Sequence, residues 1–153
     1  TVYFPTPSVG YALGGPDWDG LIAPDLRKSY HESNAVPVLI ADDGRPLRRN
    51  FVHLDDLVEA IVASIDHPAT RQQLFNIAMT EPVDYEAVGA HLQRTRGMKP
   101  VRIESTFISN LLDNSKARLQ LGWTPKVDLA ALCDRAFAYE RAADDPRKIW
   151  YPG

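Results

Sequence analysis

Cysteine is nearly missing from these 153 residues, since Cys133 stands alone. One cysteine excludes a disulfide framework and a cysteine-ligated metal site. It suits a reduced compartment, and the cytoplasm is the expected location. No apolar run is long enough to cross a bilayer, and no signal-peptide pattern is present. An excess of one charge sign is lacking too. Lys and Arg number 17 against 20 Asp and Glu, a net charge of −3 with the signs interspersed. That balance argues against nucleic acid or an anionic membrane as the main partner. Repeats and low-complexity tracts are absent. Thr1 is not an initiator methionine, so a processed, truncated or partly observed piece of a longer chain is expected. Glycines at phosphate-binding spacing are lacking. Residues 8–20 read as a loop, whose GxxxGG string lacks GxGxxG spacing and runs into Pro16-Asp17-Trp18-Asp19 instead of a helix start. Dinucleotide binding by this loop is not expected.

What is present is one domain's worth of ordinary globular sequence, with 44% hydrophobic and 24% charged residues. Its organising stretch is Arg48-Arg49-Asn50-Phe51-Val52-His53-Leu54-Asp55-Asp56. This reads as a short strand turning into a helix, capped by Asp55 or Asp56. Leu57, Val58, Ile61, Val62 and Ile65 then form an apolar stripe, and His67-Pro68 ends the helix. Thr1–Phe4 is β-prone, and residues 20–33 read as a helix. Val36–Ala41 reads as a strand that turns at Asp42-Asp43-Gly44 and pairs in a hairpin with Arg48–His53. Gln73–Met79 and Lys99–Ser105 read as further strands. Asp84 caps a helix closed by Gly97, Ser115 caps a short one stopped by Gly122, and Asp128 opens the last. Its core stripe is Leu129, Leu132, Cys133, Ala136 and Phe137. Asp144–Gly153 reads as a polar tail.

Three of these stretches resemble one family in the right order. RRNFVHLDDLVEAI is similar to the "RDFVHVDDLVEAI" segment of extended short-chain dehydrogenases, the NAD-dependent epimerase/dehydratase family. QLFNIA at 73–78 resembles the family's "vyNIG" strand, and DNSKARLQLGWTPKVDL at 113–129 its "DxSKAxxxLGWxPxxxL" ending. The resemblance implies an α/β fold, α+β for an isolated piece. It covers the C-terminal, substrate-binding portion of such an enzyme, lacking the glycine-rich Rossmann half. Residues 1–19 would be the last strand and loop of the nucleotide-binding part, 20–143 the substrate domain and 144–153 a tail.

The family's catalytic Tyr-x-x-x-Lys, whose lysine lowers the tyrosine pKa for proton abstraction, is also missing. Four residues after Tyr3, Tyr11, Tyr30, Tyr85 and Tyr139 stand Pro7, Gly15, Asn34, Gly89 and Ala143, and Tyr151 is too near the end. No catalytic residue is therefore expected in this chain, and it should not transfer hydride alone. The intact parent would use NAD or NADP to abstract a hydride from a sugar carbon, leading to epimerisation, dehydration or release of the oxidised product. Its substrate would be a sugar or nucleotide sugar, and its partners the missing Rossmann half and, in a homodimer, a second copy.

The resemblance also distributes roles. Arg49 matches the arginine that contacts the diphosphate in nucleotide-sugar enzymes, a task suited to a permanently charged fork of donors. The plain alternative is a surface arginine paired with Asp42, Asp43 or Asp55. Arg48 has the same chemistry without the motif, and Asn50 stands where the family often has aspartate. Arg102 occupies the region of a second phosphate arginine, but no Pro-Gly-Asp follows it. That departure keeps a non-nucleotide substrate, such as a free sugar acid, open. Thr1-Val2-Tyr3 resembles the family strand beside the nicotinamide and sugar, which implies cofactor contact at Thr1 and Val2 and substrate contact at Tyr3. His53 reads as structural, Lys116 as a first-turn helix residue, and Trp123 as a packing anchor. The paired aspartates read as caps and turns, and no metal site is expected. A stand-alone ligand- or protein-binding module is the competing class.

Overall fold

The computed structural model describes residues 35–138. The expectations for Thr1–Phe4, the 8–20 loop, the 20–33 helix and the tail lie outside those residues.

Strand β1, Ala35–Ile40, is buried at all six positions. An apolar run with no polar alternation suits a strand covered on both faces. Its partner is not the sequence-adjacent segment but β4, Lys99–Glu104, parallel, with Val38 opposite Arg102. The expected hairpin is reduced to a turn. Ala41 N donates to Arg45 O at 2.7 Å, Leu47 N donates to Leu39 O at 2.8 Å, and one bridge joins Ile40 and Pro46. Pro46 has no N–H to extend the ladder. The chain then leaves β1, and β2, Arg48–Arg49, pairs antiparallel with β3, Val83–Asp84. Phe51–His53 is not strand.

Helix α1 spans Leu54–Ser64, and its cap is neither aspartate. His53 holds the extended cap position, and its Nδ1 accepts from Asp55 N at 3.2 Å. The expected apolar stripe faces outward, with Val58, Ile61, Val62 and Ile65 roughly half exposed or more. Asp56 and Ala60 are the buried residues instead. The helix also stops before His67-Pro68, because Ile65 turns extended and Asp66 takes a φ of 57°. His67 instead caps a 3-10 turn, Pro68–Thr70. Gln73–Met79 is not a strand, because no ladder partner lies beside it among the described residues. Side chains hold it, as Asn114 Nδ2 donates to Ala78 O and Asn76 Nδ2 to Asp113 O.

Helix α2, Tyr85–Arg96, follows its sequence signals closely. Asp84 Oδ1 accepts from Glu86 N and Ala87 N, and Gly97 closes the helix at φ 64°. The helix lies against β1 so closely that a Cβ on Gly89 would meet Val38 Cγ2 at 2.7 Å. Helix α3 spans Ser115–Leu121, with Asn114 at the cap position. Ser115 is the first helical residue rather than the cap. Asn114 turns its side chain inward, and Asp113 Oδ1 accepts from Ser115 N at 2.8 Å. Hydrogen bonding from Ser115, its hydroxyl first and then its backbone N–H, holds the Asp113 carboxyl below its usual range. Helix α4, Leu129–Ala138, opens on Asp128, whose carboxylate accepts from Ala131 N.

The main core joins β1, α2 and α4 through Val36, Val88, Leu92, Leu132 and Cys133. Burial pushes the Cys133 thiol up to about 12, and burial also raises the Tyr85 phenol. Both groups hold protons more tightly in the folded than in the unfolded chain. Stability should therefore be intact below about pH 9 and fall as pH rises toward 12. Cys133 should resist a thiol reagent at pH 7.5 until denaturant unfolds the chain. Rapid labelling of the native protein would contradict this burial.

Candidate functional site

The β2–β3 ladder carries the two arginines, and strand geometry sends successive side chains to opposite faces. Arg48 Nε lies 3.0 Å from Asp84 Oδ2. It borders a cavity of about 660 Å³ together with Asp43, Arg45, Asp84 and Glu86. Arg49 goes the other way. Its guanidinium sits 4.8 Å over the Phe107 ring, and it is half-buried. No carboxylate pairs with Arg49 among the described residues, so the plain alternative of an ion pair with Asp42, Asp43 or Asp55 is not realised there. Arg49 also lies close enough to Tyr85 to offset part of the rise that burial gives that phenol.

Arg102, on β4, is paired with Glu86 at 3.2 Å. Tyr3, Thr1 and Val2 lie outside the described residues. The structure thus separates Arg48 from Arg49 across the ladder and leaves Arg102 and Arg48 each against a carboxylate.

A loop after β4 completes the surroundings of Arg49. Asn50 Nδ2 donates to Asn110 O at 2.8 Å and Asn110 Oδ1 at 3.0 Å, while Asn50 Oδ1 accepts from Leu112 N at 2.8 Å. Arg48 N donates to Ser109 Oγ at 3.0 Å, and Asp42 N to Phe107 O at 3.0 Å. An amide serves here because it donates and accepts at once, which a carboxylate cannot. This accounts for asparagine at a position where the resembling family often has aspartate. Asn50→Asp should lower stability by about 1–2 kcal/mol, since two donated bonds become oxygen–oxygen contacts. Thermal unfolding at neutral pH checks this, and an unchanged midpoint would refute it. Sequence reasoning missed Phe107 beneath Arg49 and the bonds of Asn50 to Asn110 and Leu112. These partners lie about sixty residues away in the chain, and no local pattern announces them.

The other singled-out residues have structural partners. Lys116 Nζ donates to Gln73 Oε1 and Leu74 O, each at 2.9 Å, and lies over Phe75. Trp123 is buried and donates from Nε1 to Asp56 O at 2.9 Å. Asp55 meets Arg135 at 3.0 Å. Glycine at positive φ occurs among the described residues only at Gly44, Gly97 and Gly122, in a turn and at two helix ends. None opens on a helix N-terminus, so the described residues do not fit a dinucleotide.

The described residues form a mixed α/β core with a parallel strand pair and a helix across it. The solved structure of a short-chain dehydrogenase/reductase superfamily protein from Agrobacterium tumefaciens, with bound NAD, matches with a TM-score of 0.63 at 19% identity. The match covers 74% of this chain and 37% of that one. Residues 6–78 match the model of the NAD dependent epimerase/dehydratase family. Among curated relatives, a probable GDP-L-fucose synthase from Oryza sativa subsp. japonica is 28% identical over 116 residues, 71% of this chain and 34% of the relative. A 2'-dehydrokanamycin reductase from Streptomyces kanamyceticus is 25% identical over 140 residues, 90% of this chain and 39% of the relative. The chain therefore spans roughly a third of the length of the curated relatives it matches. Among the described residues, no helix is long and apolar enough to cross a membrane.

Proposed function

We propose that this chain is the substrate-binding part of an NAD(P)-dependent sugar epimerase, dehydratase or reductase, and that Arg49 is its anion clamp. The observation that carries the reading is the state of Arg49. It is half-buried, stacked on Phe107, and faces no carboxylate among the described residues. A guanidinium held on an aromatic face keeps its edge donors for a ligand. Arg48 lies across the ladder against Asp84 and Arg102 is paired with Glu86, so Arg49 carries the clamp, and Tyr3, Thr1 and Val2 join the site by the family resemblance. NAD or NADP is supplied with the nucleotide-binding half of the parent, which also carries the catalytic dyad.

Two features support a partner half. The relatives are about three times the matched length. The outward stripe of α1 leaves Val58, Ile61, Val62 and Ile65 without cover, a surface that favours burial against another body. The relatives' names include one nucleotide sugar, GDP-L-fucose, and one compound not named as such, 2'-dehydrokanamycin. The first carries a diphosphate, the kind of anion such a clamp would hold. The competing reading, a stand-alone binding module, is favoured by the missing Tyr-x-x-x-Lys.

NMR titration of the 153-residue chain tests the clamp. The Arg49 Nε–H and Phe107 ring signals should shift saturably on adding D-glucuronate or UDP-glucose. If neither ligand moves them, Arg49 is not in a binding site. The intact mass of the purified protein separates the two classes. A value near 17.1 kDa supports the module, and about twice that supports the enzyme part.

A further inference from the structure

We infer that Tyr85 is a second donor of the Arg49 site, its hydroxyl bonding to the same anionic group that the guanidinium holds. This rests on the reading of Arg49 as the clamp. Tyr85 itself lies outside the motif stretches that carry the family resemblance.

The β2–β3 ladder places the two side chains together. Arg48 stands opposite Asp84 and Arg49 opposite Val83. One step on, Tyr85 N donates to Leu47 O at 3.1 Å, which sets Tyr85 opposite Leu47. Side chains alternate along a strand, so Leu47, Arg49, Val83 and Tyr85 share the face turned away from Arg48 and Asp84. Arg49 and Tyr85 are then diagonal neighbours, a spacing that long and aromatic side chains span. The packing agrees. Phe107, with the Arg49 guanidinium 4.8 Å over its ring, joins Tyr85 against one buried cluster that includes Leu39, Leu47 and Ile103.

The Tyr85 hydroxyl has no hydrogen-bond partner among the described residues, although the ring is half-buried. Tyrosine hydroxyls in such surroundings ordinarily find one. The acids beside it in the chain are engaged elsewhere. Asp84 caps α2 and meets Arg48, and Glu86 meets Arg102. Burial raises the phenol, so it keeps its proton at neutral pH and meets an anion as a donor. A guanidinium fork and one O–H, converging from a single face, suit the oxygens of a phosphoryl or carboxylate group.

The experiment compares the 153-residue chain with Tyr85→Phe, Arg49→Ala and the double variant. Binding of UDP-glucose and of D-glucuronate is followed at the Phe107 ring signals by NMR. Tyr85→Phe should bind the preferred probe about tenfold more weakly. Which probe is preferred tells a phosphoryl from a carboxylate. The thermal midpoint should stay or rise, since the hydroxyl removed has no partner in the free chain. The double variant should lose less than the two single losses multiplied, because both donors grip one group. Unchanged affinity in Tyr85→Phe, a lowered midpoint, or fully multiplicative losses would each overturn the inference while Arg49→Ala still reports on the clamp. If neither probe moves the Phe107 signals of the unmodified chain, the clamp reading falls, and this inference with it.

Discussion

Asp56→Ala should destabilise the domain by about 3–5 kcal/mol, the largest effect expected of any single change to this chain. Asp56 is only 2% exposed although it sits in the first turn of a helix. Its two carboxylate oxygens accept from backbone groups, Lys126 N at 3.1 Å and Val127 N at 3.0 Å. Its own carbonyl accepts from Trp123 Nε1 at 2.9 Å. One residue thus ties α1 to the segment between α3 and α4. Alanine would leave two buried N–H groups without acceptors, each costing about 1–3 kcal/mol. Asparagine would keep one acceptor and set an NH2 against the other N–H, so it should recover about half the loss at most. Urea unfolding followed by tryptophan fluorescence measures this as a lower midpoint with an unchanged slope. A loss below about 1 kcal/mol would mean that water replaces the carboxylate, and that the segment 123–127 is not fastened through it.

Arg49→Ala should weaken the binding of an anionic sugar by about 1.5–3 kcal/mol, or roughly ten- to 150-fold, the range for a charged hydrogen bond. Lysine at this position keeps the charge but loses the fork, so Arg49→Lys should fall between the two. The fold should change little, because Arg49 contributes a stacking contact on Phe107 and no ion pair among the described residues. Stacking of that kind is worth about 0.5–1 kcal/mol at an exposed site. A second readout needs no ligand. Tyr85 is raised by burial and pulled down in part by Arg49, so removing the guanidinium should move its phenol still higher. Titration of the Tyr85 ring by NMR, in the original chain and in Arg49→Ala, would show that upward shift. A binding constant unchanged by the substitution would take Arg49 out of the site.

The two predictions differ in how far the residues advertise themselves. Arg49 stands in a motif and is legible from its immediate neighbours in the chain. Asp56 is legible there only as one of two possible helix caps, and the cap goes to His53. The reason is distance along the chain. A cap answers to amides two or three residues away, whereas the groups that claim Asp56 lie about seventy residues later. The same divide runs through the arginines. Their chemistry can be read one residue at a time, but the pairing of Arg48 with Asp84 and of Arg102 with Glu86 cannot.

What local chemistry controls is written in the sequence. Asp84 and Gly97 bound α2, Gly122 ends α3, Asp128 opens α4, and Lys99–Glu104 is a strand. Caps, left-handed glycines and alternation act over a few residues, so they survive without context. The family resemblance is legible for a related reason, since it rests on short motifs in a fixed order. The choice of partners belongs to the tertiary structure. It pairs β1 with β4 in parallel instead of with the adjacent segment. It turns the apolar stripe of α1 outward by burying Asp56, and it denies Gln73–Met79 a ladder among the described residues. It puts Arg48 and Arg49 on opposite faces of one short ladder, the first against a carboxylate and the second over an aromatic ring. Each of these depends on which distant segment arrives to accept a hydrogen bond or cover a face, and hydrophobic period and propensity do not encode that.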